Sequence, residues 1–196
     1  MNKQELIQLL NTLTLDDKIT MIHGASMFQT GAVTEKNVPA FTFDDGPMGP
    51  RKEYQKDAWI PIGGNDDATS YLPSNSALAA TFNRKRALES GTILGREARG
   101  RGKDMILAPG INIHRSPLGG RNFEYMSEDP YLTAEIAVPF VEGIQQNDVS
   151  ACVKHYALNN QETDRTGYNA DVSERALWEI YLPAFKMAVQ EGGAWS

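Results

Sequence analysis

Apolar positions recur every three or four residues in four stretches of this 196-residue chain, a spacing typical of amphipathic helices. The repeating residues are Leu6, Leu9, Leu10 and Leu13; Ala87, Gly91, Leu94 and Ala98; Leu132, Ile136, Phe140 and Ile144; and Leu177, Ile180, Tyr181, Ala184, Met187 and Ala188. Asn83, Asp129 and Ser173 are predicted N-caps of the last three helices. Pro139 and Pro183 are predicted to bend the helices that contain them.

Short apolar runs at 40–43, 105–108 and 149–153 predict strands between these helices. Alternating strands and helices predict an α/β fold with a parallel sheet. Polar, glycine-rich segments follow the strands, and both barrels and open sheets place their sites at that end. A (β/α)8 barrel needs about 250 residues, and another apolar run begins at Gly193. We therefore expect this chain to be the first part of a larger protein.

The composition is that of a soluble globular protein, with 41% hydrophobic and 22% charged residues and a net charge of −6. No basic block is present, so nucleic acid and anionic membranes are not expected partners, whereas a neutral sugar is compatible. A lone cysteine, Cys152, cannot form an internal disulfide. Because neither a secretory signal nor a membrane-spanning window is visible, the sequence predicts a cytoplasmic location.

Two polar clusters follow strand candidates. The first, at 44–51, contains an Asp-Gly-Pro turn in a long polar loop that runs from Asp44 to about Pro73. A carboxylate placed directly after a strand can accept hydrogen bonds from two sugar hydroxyls. The second cluster, at 119–125, leads into the Asp129 cap. A solvated loop ahead of a helix would account for most of its residues, but it accounts poorly for Arg121 and Glu124. The donor fork of Arg121 suits either vicinal hydroxyls or a neighbouring carboxylate.

A third cluster begins with Lys154 and His155 at the end of a predicted buried strand. Burial of either side chain without a partner is costly, so both are paired structurally or exposed to a ligand. Consecutive strand residues face opposite sides, so the backbone must leave strand geometry near Lys154 if both contact one ligand. The following residues, 159–164, are consistent with loop scaffolding, and Arg165 is predicted to reach inward.

Metal and cofactor chemistry are not predicted. The histidines at 23, 114 and 155 show no ligand spacing, and no phosphate-binding loop, dinucleotide fingerprint or nucleophile elbow is present. These absences favour two kinds of function: catalysis by carboxylates, or ligand binding without catalysis.

Taken together and in this order, these segments resemble family 3 glycoside hydrolases, in the branch of β-glucosidases and β-xylosidases. The matching segments are FDDGP at 43–47, GRNFE at 120–124, SEDPY at 127–131, KHY at 154–156 with NNQE at 159–162 and Arg165, and EGGAWS at 191–196. The resemblance implies that residues 1–196 are the N-terminal part of a (β/α)8 barrel domain. It also implies a retaining, two-carboxylate hydrolysis of β-glucosides that releases the non-reducing terminal glucose. Met48, Pro50 and Tyr156 depart from the residues common in the family.

By the same resemblance, five residues bind the terminal sugar of a small-molecule β-glycoside: Asp45, Arg121, Lys154, His155 and Arg165. The nucleophilic aspartate and the acid/base glutamate are expected beyond Ser196. Asp45 and Glu162 are two carboxylates within the chain, but they are not favoured as a substitute catalytic pair.

Two other functions remain open. The protein is a non-catalytic sugar-binding or scaffold protein if its natural gene ends near residue 196. A metal-dependent barrel hydrolase would need ligands that the sequence does not offer.

Overall fold

The structure, a computed structural model, describes residues 1–53 and 67–196. These residues form two compact units. The first consists of Met1–Phe43 and the described part of Lys52–Ala68, and the second consists of Asp44–Arg51 and Thr69–Ser196. The middle of the predicted polar loop, 54–66, lies outside the described residues.

The first unit begins with two short helices, α1 (Lys3–Thr12) and α2 (Leu15–Ile22). Each begins with a capping box in which the N-cap side chain and the third helical residue exchange hydrogen bonds. The predicted N-terminal helix is therefore confirmed, but the chain breaks it at Leu13, which is extended and buried. A one-turn 3-10 helix, Thr34–Lys36, follows in the same unit.

The second unit contains the remaining helices. They are α3 (Asn75–Ala79), α4 (Arg84–Gly100), α5 (Pro130–Gln145), α6 (Glu174–Ala176) and α7 (Pro183–Gln190). All three predicted N-caps are confirmed: the side chains of Asn83, Asp129 and Ser173 accept hydrogen bonds from backbone N–H groups of the first turn. Among residues 1–53 and 67–196, no helix has both the length and the apolar character that crossing a bilayer requires.

The last predicted helix is not one bent helix but two. A π-turn, Leu177–Tyr181, follows α6, and Pro183 then occupies the first position of α7. Proline is tolerated at that position because its missing N–H would have no partner there. The buried face is therefore smaller than the one predicted for a single helix. Ala184, Phe185 and Ala188 of α7 are buried, and no residue of α6 or of the π-turn is.

Three short strands form one sheet in the order β1 (Phe43–Asp45), β2 (Met105–Leu107) and β3 (Ser150–Ala151). β2 and β3 are parallel, with Met105 opposite Ser150 and Ile106 opposite Ala151. The predicted α/β class with a parallel sheet is therefore observed.

Two strand predictions need correction. The first strand was expected at 40–43 but begins at Phe43 and contains both aspartates, because Thr42 forms an antiparallel bridge with Gln29 instead. The third is shorter than the predicted 149–153. Pro109, after β2, has no N–H to donate to the ladder. Pairing resumes beyond it as a single parallel bridge between Gly110 and Lys154.

The backbone of Ser196 lies alongside β3. Its N–H donates to the carbonyl of Ala151 over 3.2 Å, and its carbonyl accepts from the N–H of Val153 over 3.1 Å. This pair of bonds, to residues two apart, is the pattern of a parallel ladder.

The core of the second unit lies between α4, α5 and the sheet, and α7 packs against α5 and contributes to the same core. The two long helices meet through glycine, because a Cβ on Gly91 would lie 2.1 Å from the carbonyl oxygen of Phe140. A Cβ on Gly143 would lie 2.4 Å from the carbonyl oxygen of Leu88. The backbones of α4 and α5 are therefore in direct contact at these glycines.

Candidate functional site

The two adjacent aspartates of β1 have different environments because consecutive strand residues face opposite sides. Asp44 is fully buried, with Arg51 Nε 3.5 Å and Arg101 Nε 4.0 Å from its carboxylate oxygens. Asp45 faces the other side and forms an ion pair of 2.5 Å with Lys154 Nζ. The same oxygen, Oδ1, accepts a bond from the Gly46 N–H at the start of the Asp-Gly-Pro turn. Of this pair, only Asp45 joins the site.

Lys154 lies three residues after the end of β3 and is buried. Its backbone N–H donates to the Pro109 carbonyl, and its carbonyl accepts from the Ile111 N–H, so the segment after β2 fixes its position. Its ammonium group lies between two carboxylates, Asp45 at 2.5 Å and Glu124 at 3.8 Å. The buried charge is therefore paired, as burial requires.

Arg121 precedes a 3-10 turn, Asn122–Glu124, and each of its three guanidinium nitrogens faces a different partner. Nε forms a short ion pair with Glu124, Nη1 lies 3.6 Å from Glu162, and Nη2 lies 2.7 Å from His155 Nε2. Burial lowers the pKa of Arg121, but the hydrogen bond and charge of Glu124 outweigh it, so that this pKa is raised. The guanidinium is charged and fixed in orientation.

His155 is held at both its ring and its backbone. The Asn112 side chain forms two hydrogen bonds with the His155 backbone, to the N–H at 2.7 Å and to the carbonyl at 3.0 Å. The ring lies between Arg121 at Nε2 and the Tyr125 hydroxyl, 3.0 Å from Nδ1. Burial, and then the charges of Arg121 and Lys154, lower the pKa of His155 to about 3. This histidine is therefore neutral at physiological pH.

Tyr125 is buried and completes the cluster. Its hydroxyl accepts a hydrogen bond from Asn159 Nδ2 over 2.8 Å, and burial raises its pKa to about 12. The loop that carries Tyr125 approaches the end of β2 so closely that only glycine fits at position 110. A Cβ there would lie 2.6 Å from the Glu124 carbonyl oxygen and 3.1 Å from the Tyr125 ring.

Helix α3 fixes the same loop from its other side. Asn75 Nδ2 donates to the Glu124 carbonyl over 2.7 Å, and Ser76 Oγ lies within hydrogen-bond distance of the Asn122 and Tyr125 carbonyls. These bonds satisfy backbone groups of a buried turn, which would otherwise be costly. The loop that presents Arg121 is therefore rigidly attached.

Four of the five predicted site residues lie together: Asp45, Arg121, Lys154 and His155. The expected inward orientation of Arg165 is not found. Its side chain is 55% exposed and its Nε lies 3.7 Å from Glu162, which separates it from Arg121. Arg165 therefore lies at the rim of the cluster.

Sequence reasoning left open whether Arg121 meets hydroxyls or a carboxylate, and the structure gives it the carboxylate of Glu124. It missed Tyr125 and Asn112, whereas Asn159 lies in the segment interpreted as loop scaffolding and bonds Tyr125 and Glu162. Asn112 carries a usable signal, since it is a polar residue between two isoleucines in an apolar run. Within the described ranges, no group of three or more His, Cys, Asp or Glu side chains could hold a metal ion.

Comparisons with known proteins agree on one family. The sequence model of the glycosyl hydrolase family 3 N-terminal domain matches residues 62–195. Beta-glucosidase BoGH3A of Bacteroides ovatus is 46% identical over 187 residues, which are 95% of this chain and 25% of that protein. An exo-α-(1→6)-L-arabinopyranosidase of Bifidobacterium longum is 38% identical over 184 residues, or 94% of this chain and 24% of that protein.

The solved structure of β-glucosidase 3B from Thermotoga neapolitana in complex with glucose matches with a TM-score of 0.87 at 40% identity. That match covers 97% of this chain and 28% of the solved chain. The chain spans about a quarter of the length of the curated relatives it matches. On the family match and these relatives, the chain belongs to glycosyl hydrolase family 3.

Proposed function

We propose that this chain forms the sugar-binding part of a hydrolase that releases the non-reducing terminal β-D-glucose from small β-glucosides. One observation carries the proposal: the ion pair of Asp45 and Lys154 lies beside Arg121 and His155 at the ends of the strands. These groups offer both acceptors and donors within one small cluster, which is what a ring of hydroxyls requires.

The charge balance of the cluster favours a neutral ligand. Three carboxylates (Asp45, Glu124 and Glu162) face three cations (Lys154, Arg121 and Arg165), and His155 is neutral. An anion or a cation would find no excess of opposite charge. A sugar has no charge and is bound by hydrogen bonds alone.

Each group retains hydrogen-bonding capacity after its protein contacts are made. Within the described part of the chain, Asp45 Oδ2 makes no hydrogen bond, since Oδ1 accepts those from Lys154 and Gly46. The ammonium of Lys154 has three donors and the guanidinium of Arg121 has five, more than the contacts described above use. We assign these three side chains to sugar hydroxyls. We place His155 beside them, and Arg165 at the rim.

The names of the relatives bear on the sugar. The Bacteroides ovatus relative is named a β-glucosidase, and the Thermotoga neapolitana enzyme was solved with glucose. The Bifidobacterium longum relative is named for an arabinopyranoside. Because the β-glucosidase is the more similar of these two curated relatives, at 46% against 38% identity, we propose glucose as the preferred sugar.

The chemistry we propose is the retaining, two-carboxylate mechanism, in which the carboxyl groups are roughly 5–5.5 Å apart. We place the nucleophilic aspartate and the acid/base glutamate in sequence that follows Ser196. Asp45 and Glu162 are given no catalytic role, because each is already engaged by cationic side chains. This chain contributes to rate through hydrogen bonds that strengthen in the transition state.

We further propose that residues 1–196 are the N-terminal part of a (β/α)8 barrel domain, whose remainder and second domain lie outside this chain. The parallel pairing of β2 and β3 supports this fold. The backbone of Ser196, hydrogen-bonded along β3, is placed as the next parallel strand would be.

The test uses the complete product of the gene that encodes this chain, assayed with an aryl β-D-glucoside, an aryl β-D-xyloside and an aryl α-L-arabinopyranoside. We expect glucose to be released fastest. Lys154→Ala and Arg121→Ala are each expected to lower kcat/KM for the glucoside about 10- to 100-fold, the scale of a hydrogen bond to a charged group.

Lys186→Ala and Arg175→Ala serve as matched controls, because both side chains are exposed outside the cluster. Equal kinetics in site and control variants would contradict the assignment of these residues. Sugar binding without turnover would favour the non-catalytic alternative. The sequence downstream of residue 196 distinguishes the same two possibilities independently.

A further inference from the structure

The hydrogen bonds between Arg121, His155 and Tyr125 have only one consistent direction. A guanidinium can donate but not accept, so His155 Nε2, 2.7 Å from Arg121 Nη2, must be the acceptor. A neutral imidazole that accepts at Nε2 carries its proton at Nδ1. Nδ1 lies 3.0 Å from the Tyr125 hydroxyl, whose oxygen therefore accepts that proton's hydrogen bond.

Asn159 supports the same direction from the other side. Its Nδ2 lies 3.3 Å from a Glu162 carboxylate oxygen, which can only accept, so this atom is the amide nitrogen. The same nitrogen lies 2.8 Å from the Tyr125 hydroxyl oxygen. That oxygen thus accepts from both Asn159 and His155, and its own proton is turned away from the imidazole.

The reverse direction would place two donors against each other. If Tyr125 donated to Nδ1, the proton of His155 would sit on Nε2 and face the N–H of Arg121 at 2.7 Å. Asn112 holds the His155 backbone by two hydrogen bonds, and rotation of the ring would break the contacts of both ring nitrogens. Tyr125, 2% exposed, packs edge-on to the imidazole with ring centroids 5.9 Å apart.

We propose that Tyr125, oriented by Asn159, is a positioning residue that keeps His155 in the Nδ1–H tautomer and thereby holds Arg121 in place. His155 then accepts a hydrogen bond from Arg121 at Nε2 and does not transfer a proton to or from a ligand. The tautomer follows from the contacts of this chain alone. Only its consequence for sugar binding rests on the function proposed above.

The tautomer is tested without any sugar. In the complete gene product labelled with ¹⁵N-histidine, NMR at neutral pH distinguishes the protonated ring nitrogen from the unprotonated one. The His155 signals are identified by their loss in His155→Gln. We expect a proton on Nδ1 and none on Nε2. In Tyr125→Phe we expect faster exchange of that proton with water, or the appearance of the second tautomer. A proton on Nε2 in the wild-type chain would overturn the proposal.

Tyr131→Phe is the matched control, since it makes the same change at an exposed position on α5 and should leave the His155 signals unaltered. Asn159→Ala provides a second route, expected to act in the same direction and more weakly, should Tyr125→Phe fail to fold. If both substitutions leave the Nδ1 proton and its exchange unchanged, Tyr125 does not position His155.

The functional consequence is measured on the complete gene product. Tyr125→Phe is expected to lower kcat/KM for the aryl β-D-glucoside about tenfold relative to Tyr131→Phe, the scale of one hydrogen bond to a charged group. Altered His155 signals with unaltered kinetics would uphold the tautomer and overturn the effect on Arg121. A wild-type protein without glycosidase activity would instead count against the proposed function and leave the NMR result standing.

Discussion

At the scale of single residues, the neutral state of His155 is the least obvious property of the cluster. Two cations, Arg121 and Lys154, and burial all oppose its protonation, while the charge of Asp45 favours it and Arg165 adds a further opposing charge. Tyr125, whose pKa is raised, remains an uncharged hydroxyl beside it. The imidazole therefore contributes hydrogen-bond geometry and no charge.

This state makes the stability of the folded chain depend on pH. The pKa of His155 is about 3 in the folded chain and about 6.5 when unfolded. Between these values the unfolded chain binds a proton that the folded chain does not. The contribution of His155 is therefore complete above about pH 6.5 and is lost as the pH falls toward 3. We expect urea unfolding to show a larger loss of stability from pH 7 to pH 5 in the wild-type chain than in His155→Gln.

The carboxylates also titrate in acid, so the informative quantity is the difference between variant and wild type. His23→Gln is the control, because His23 is exposed and should leave the pH dependence unchanged. If His155→Gln and the wild type lose the same stability between pH 7 and pH 5, His155 is not held neutral by the fold.

At the scale of elements, the crossing of α4 and α5 depends on the absence of side chains. Backbone carbonyls of α5 occupy the space where a Cβ on Gly91 or Gly95 would lie. Neither helix can move away without opening the core, since Leu94, Phe140 and Ile144 are fully buried beside this contact. The packing is therefore intolerant of even one methyl group.

We predict that Gly91→Ala lowers the free energy of unfolding by about 1–3 kcal/mol or more, because overpacking forces the two backbones apart. Gly100→Ala, in the last turn of the same helix, is the matched control. Among the described residues, no atom outside the adjoining helix backbone and chain neighbours lies within 4 Å of the added methyl there, and alanine is the better helix former. Urea unfolding monitored by circular dichroism measures both. A neutral Gly91→Ala would contradict the described crossing of α4 and α5.

At the scale of the whole molecule, the cluster joins segments that are distant in sequence. Asp45 and Lys154 are 109 residues apart, and Arg121 and His155 are 34 apart. Such contacts form only when the intervening helices have packed. The site is therefore a product of the completed second unit.

The long-range ion pair should be measurable in stability as well as binding. Asp45→Asn leaves the nearly buried ammonium of Lys154 with Glu124 at 3.8 Å as its remaining carboxylate. We predict a loss of about 1–3 kcal/mol in the free energy of unfolding. Asp148→Asn, in an ion pair with Arg99 but 89% exposed, should change it by less than about 1 kcal/mol. Equal effects in urea titrations would indicate that the Asp45 pair is not buried as described.

Local features of the sequence predicted the elements well. The caps at Asn83, Asp129 and Ser173 and the apolar repeats of α4 and α5 depend on neighbours within four residues, so they are legible without the fold. The start of β1 at Phe43 and the end of β3 at Ala151 were not predictable in this way. The first depends on the bridge between Thr42 and Gln29, and the second on Pro109, which has no N–H to donate. Both Gln29 and Pro109 are distant in sequence from the strand that they limit.

The sequence by itself determined α4 and α5 with their caps, the α/β class, the family and four side chains that meet in one cluster. Tertiary structure alone decided that Arg121 pairs with the carboxylate of Glu124, that Glu162 separates Arg165 from Arg121, and that Tyr125 and Asn159 orient His155. The physical reason is the separation along the sequence between the groups that interact. Helix periodicity and caps arise from contacts within a few residues, whereas charge pairing and hydrogen-bond direction depend on groups that only packing brings within 3–4 Å.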